Sequence, residues 1–152
     1  MMLRHALATL AYRGAKAVRD APDGFASFRA HPGTRTPGEI LAHVNDLLDW
    51  MAHLLEGTHV WHESVPGSWP DEVARFHAAL AAVDAKLAGG LPPGVSADRV
   101  FQGPVADALT HVGQIALLRG MAGAPIKGEN YFKADITAGS VGPDQSDARI
   151  EF

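Results

Sequence analysis

The chain has 152 residues and no cysteine, with a formal net charge of -4; 47% of its residues are apolar and 20% charged. That length suits one domain with a proper core, and the balance is that of a globular, soluble chain rather than a disordered one. Disulfides, thiolate metal sites and a cysteine nucleophile are excluded. Lys and Arg are scattered with no basic stripe, which speaks against nucleic acid as a partner. No apolar run approaches the ~18 residues of a membrane span, so no membrane role is expected; the lack of cysteine fits a reducing cytoplasm, the expected location.

The first helical pattern covers about residues 2–20. Leu3, Leu7, Leu10 and Val18 form its apolar stripe, and Pro22 and Gly24 stop it. Arg13 and Lys16 interrupt the segment, so it reads as a bundle helix rather than a secretory leader. A loop rich in Pro, Gly and Thr follows. The second helix has the strongest start signal: Thr36 as cap, Pro37 at the first helical position and Glu39 completing a T-x-x-E box. Ile40, Val44, Leu47, Met51 and Leu54 recur at helical spacing, and the neighbouring face carries Glu39, His43, Asp46, Trp50 and His53. Gly57 is the expected stop.

An aromatic loop, THVWHESVPGSWP, precedes a third helix expected over about 69–88, with Val73, Phe76, Leu80, Val83 and Leu87 as its stripe. GGLPPG breaks the chain. A fourth helix is expected over about 104–122. The tail from 126 to 152 has little helical period; Tyr131 and Phe132 are the expected anchors, and its end looks loosely held. The expected architecture is one all-α domain, a four-helix bundle over about 1–125 with an irregular C-terminal tail.

Within the fourth helix, Asp107 and His111 stand four residues apart and so share a face with Gln114 and Leu118. The face borders the apolar side of the helix. His43 lies on the second helix. If the two helices face each other, these three side chains make a two-His, one-carboxylate set, which holds a divalent transition metal with positions left open. The alternative is an intrahelical hydrogen bond in which Asp107 orients His111, with His43 a bonded core residue. Location favours the metal, because an unpaired Asp beside a core is costly. His59 and His62 read as loop residues, His53 as too far along its helix to join His43, and His77 as outward-facing. His5 and His31 have no companions. Asp46, Glu129 and Tyr131 are the acids and phenol that could approach the mouth of the site. G-x-S-x-G, G-x-G-x-x-G, the P-loop and H-E-x-x-H are all absent, position 66 being Pro where the last would need His.

Two segments, TPGEILAHVNDLLDW and the D-x-x-x-H-V-G-Q-I stretch with LLRGMAGAP, resemble the DinB/YfiT-like superfamily of metalloenzymes over about residues 1–125. The resemblance implies an up-up-down-down bundle, often a homodimer. It implies nickel or zinc held by three histidines, one from the second helix and two from an H-x-x-x-H on the fourth. His43 and His111 match two of these; Asp107 stands where the family has the third histidine. A carboxylate shifts such a site toward harder metals, bringing iron and manganese into range. Family members include transferases and isomerases that use low-molecular-weight thiols. The expected function is therefore a metal-dependent, thiol-using S-transferase or isomerase. The competing expectation is a non-catalytic dimeric bundle or small-molecule-binding protein in which the metal site has decayed.

Overall fold

A computed structural model describes residues 2–152. Among them the protein is all-helical, with one isolated backbone bridge between Glu129 and Glu151 and no strand. α1 runs Met2–Val18, α2 Pro37–Leu54 and α3 Trp69–Ala88. The last rod begins with a single turn, α4 (Ala97–Val100), passes through a π-helical stretch, Phe101–Val105, and continues as α5 (Ala106–Met121). α1 and α2 each pack against both α3 and α5, so the two pairs lie on the diagonals of a four-helix bundle. No helix is long and apolar enough to cross a membrane.

The starts of α2 and α3 follow local chemistry. The Thr36 hydroxyl accepts from the Glu39 amide at 3.2 Å, and Glu39 Oε2 accepts from the Thr36 amide at 2.6 Å. This reciprocal box satisfies two of the amides that a helix start leaves unpaired. Ser68 caps α3 by accepting from the Asp71 amide. The apolar stripes then meet in one core: Leu7, Leu10, Leu41, Val44, Leu48, Met51, Phe76, Leu80, Val83 and Ile115 are essentially without solvent contact. α1 and α3 approach closely because residue 14 is glycine. A Cβ there would come 2.4 Å from Phe76 Cζ.

The fourth rod starts earlier than sequence reading suggests. Ser96, two residues after the Pro- and Gly-rich break, caps it by accepting from the Arg99 amide, and Pro104 lies inside the rod rather than at its start. A proline inside an α-helix removes a donor and drives its ring against the carbonyl four residues back. The wider π turn accommodates it. It has a second effect. Val100 and Val105 are both buried, although residues five apart on a regular α-helix point about 140° apart.

The tail is better tied than expected. Glu129 is buried, accepts from the Tyr12 hydroxyl at 2.6 Å and pairs with Lys16 at 2.9 Å. Lys16 also pairs with Glu151 at 2.9 Å, and Phe152 N donates to Gly128 O. Tyr131 anchors as anticipated, with the Arg13 guanidinium 4.0 Å above its ring. Phe132 does not, being 90% exposed. Its place is taken by Val141, which joins the core. His77, expected to face outward, lies half-buried beside Phe76, its Nδ1 shielded from solvent. Arg119, near the end of α5, donates to the carbonyls of Ala17, Arg19, Asp20 and Ala124. It thereby satisfies carbonyls left open at the end of α1.

Candidate metal centre

α2 and α5 are neighbours in the bundle, and this brings the three anticipated residues together. One ligand-type atom from each of His43, Asp107 and His111 lies within 4.8 Å of the other two. Asp107 Oδ1 is 3.4 Å from His111 Nε2, and Asp107 Oδ2 is 3.8 Å from His43 Nε2. The two imidazoles stand edge to face, with ring centres 4.8 Å apart. In a tetrahedral site with bonds of about 2.0–2.1 Å, ligand atoms sit about 3.3–3.4 Å from one another. The Asp107–His111 spacing meets that figure as it stands. His43 approaches the other carboxylate oxygen and stands farther off, within the 4.8 Å that spans the three ligand-type atoms. The donor set, two imidazoles and one carboxylate, suits zinc, nickel, iron or manganese.

Burial around the centre is graded. The His111 side chain is 13% exposed, His43 20% and Asp107 46%. An unpaired Asp107 would therefore cost less than its place beside the apolar face suggests, since its carboxylate is half in water. What singles out the site is the convergence of two imidazoles on that carboxylate. The exposed side is where open coordination positions would face solvent.

Two neighbours that sequence reading did not single out prepare the histidines. Gln114 Oε1 lies 2.7 Å from His111 Nδ1. An amide oxygen only accepts, so in this contact Nδ1 is the donor, which is the arrangement that leaves Nε2 available to a metal. Gln114 follows His111 by three residues, and that spacing was the signal available in the sequence. On the other side the Trp61 ring packs edge-on against His43, 5.7 Å between centres, and against Trp50 at 6.0 Å. Burial, the His111 ring and Arg35 hold the His43 imidazole below its ordinary pKa, against the opposing pull of Asp107 and Asp46. A neutral imidazole is the form that binds metal. Replacing Gln114 with alanine should weaken metal affinity about 10- to 100-fold, the usual cost of losing such a partner. A competition titration against a chromophoric chelator measures this, and an unchanged affinity would show that Gln114 sets nothing.

The remaining polar candidates fall outside the centre. Asp46 lies one turn after His43, but its carboxylate is engaged: it accepts from the Ser64 amide at 3.0 Å, from the Ser64 hydroxyl and from Arg75 at 2.7 Å. Burial pushes its carboxyl up, but these partners outweigh burial and leave it below the usual range. Asp46 is thus a strut that fixes the loop bearing Trp61 rather than a proton shuttle. Glu129 and Tyr131 are held at α1, bonded to Tyr12 and Lys16 and stacked under Arg13 respectively. His53 sits beside His62, and His59 beside Trp50, so none of them joins His43, Asp107 and His111.

Comparison of the chain with family models, with curated proteins and with solved structures finds no match in any of the three.

Proposed function

We propose that this protein is a mononuclear metalloenzyme of the DinB/YfiT-like kind, an up-up-down-down bundle in which His43, Asp107 and His111 hold one divalent ion. The observation that carries the reading is the convergence of their three ligand atoms within 4.8 Å, from two separate helices. Nickel and zinc are the leading metals, with iron and manganese compatible with the carboxylate. When bound, such an ion lowers the pKa of a coordinated thiol or water and yields a nucleophile near neutral pH. The substrates in this reading include a low-molecular-weight thiol, and the reaction is an S-transfer or a thiol-assisted isomerisation, carried out by a cytoplasmic homodimer. The chain's own contributions are positional: Gln114 fixes the His111 tautomer, Trp61 shields one edge of His43, and Asp107 keeps the open side toward solvent.

The test is loading followed by a spectrum. Chelator-stripped protein dialysed against nickel or cobalt should retain one ion per chain by elemental analysis. Adding a small thiol to the cobalt form should then bring in a thiolate-to-metal charge-transfer band. A folded protein that keeps no ion would overturn the reading in favour of a non-catalytic bundle.

A further inference from the structure

A cleft of about 510 Å³ opens beside the centre, with His111 and Gln114 in its wall. The volume lies in the range that small-molecule sites occupy. The rest of the wall divides sharply in character. Ile40, Leu117, Leu118 and Met121 make one side apolar, His31, Thr34 and Arg35 make the other polar, and no carboxylate lines it. Leu117 is 65% exposed and Met121 55%, side chains that water covers poorly.

Arg35 stands where this cleft meets a second one, of about 250 Å³, that is lined by His43, Glu39, Asp46 and Glu63; Asp46 is taken by Arg75, and Arg35 makes no ion pair with Glu63. Arg35 is exposed and makes no hydrogen bond or ion pair among the described residues. Its neighbour Arg29 pairs with Glu39 instead, so that carboxylate is already engaged. A guanidinium with no partner, set between the two histidines' clefts and beside an apolar trough without acids, is complementary to one kind of molecule. That molecule carries an anionic oxygen group for the guanidinium's paired donors and an apolar body for the trough.

We infer that the substrate bound beside this centre is a small organic carboxylate with an apolar chain, its carboxylate on Arg35 and its chain along Leu117 and Met121. The inference extends the metal-centre reading by naming the class of molecule at that site. Its binding terms are independent of the ion.

The experiment uses the full-length, chelator-stripped protein and straight-chain carboxylates from butyrate to octanoate, followed by titration calorimetry. Binding should be saturable at one per chain and tighten about threefold to fourfold with each methylene that reaches the trough. Arg35→Gln should weaken octanoate at least tenfold and leave helical content unchanged, because Arg35 is exposed. Leu117→Glu should abolish binding by setting a like charge in the trough. Octanol binding as well as octanoate, or an Arg35→Gln protein that binds octanoate normally, overturns the inference. So does octyl phosphate binding while octanoate does not, or a protein that dimerises through Leu117 and Met121 and excludes the probe. Octanoate bound by a protein that takes up no metal supports the cleft assignment while removing the metal reading. Metal uptake without octanoate binding does the reverse.

Discussion

Replacing His111 with alanine should abolish stoichiometric metal binding while the bundle stays folded. The variant leaves His43 and Asp107 on separate helices, with two ligand atoms 3.8 Å apart and no third from the chain to close the set. The loss should exceed the roughly 10- to 100-fold that follows removal of a ligand's outer partner. The fold should survive because the packing of α5 rests on Ala108, Val112, Ile115 and Leu118, all buried, whereas His111 lies beside that stripe at the edge of a cleft. Metal content after dialysis, together with matched melting curves of the stripped forms, checks both halves. A His111→Ala protein that still held one ion per chain would sink the assignment.

Changing Asp46 to asparagine should cost about 2–4 kcal/mol. Breaking a buried charge pair by removing one partner usually costs about 3–5 kcal/mol, and the figure is discounted here because Arg75 remains 30% exposed and keeps Asp49 as a second partner. The Asp46 side chain itself is only 2% exposed. The sign of the pH effect follows from its carboxyl lying below the usual range when folded. Its stabilising contribution is complete above the unfolded pKa, near 4, and is lost as pH falls through the lower folded value. Urea unfolding at pH 7 should therefore separate wild type from variant widely, and the gap should narrow as the medium is acidified toward pH 3. A gap that stayed constant would mean that the charge is immaterial and only the shape of the side chain counts. Ser64 is bound to the same carboxylate, so the variant should also loosen the 59–64 loop and the contact of Trp61 with His43.

The parts of this molecule legible in its sequence are those written by residues close together in the chain. The Thr36–Glu39 box, the Ser68 cap and the apolar stripes of α1, α2 and α3 are local signals, and the helices fall close to where those signals put them. Asp107 and His111 were legible for the same reason, since four residues apart is one face. Joining them to His43 needed more, namely that α2 and α5 be neighbours, which spacing alone cannot establish. Gln114 and Trp61 act through side-chain contacts of no fixed pattern. The tail was the least legible: Glu129 finds Tyr12 and Lys16 more than a hundred residues upstream. Pro104 misled in a specific way. A proline ordinarily marks a helix start or break, and here an unusual backbone turn carries the rod through it.

That turn does more than tolerate a proline. Each residue of a regular helix advances the side-chain direction by about 100°, and the widened stretch at 101–105 absorbs part of that rotation. It acts as a gear offset between the capped beginning of the rod and its ligand-bearing end. Were the stretch rewound to ordinary pitch with Val100 held in place, the carboxylate of Asp107 and the imidazole of His111 would be dialled away from α2, and His43 would be left facing bare helix. The angular setting of Asp107 and His111 is thus decided in the stretch that ends two residues before Asp107.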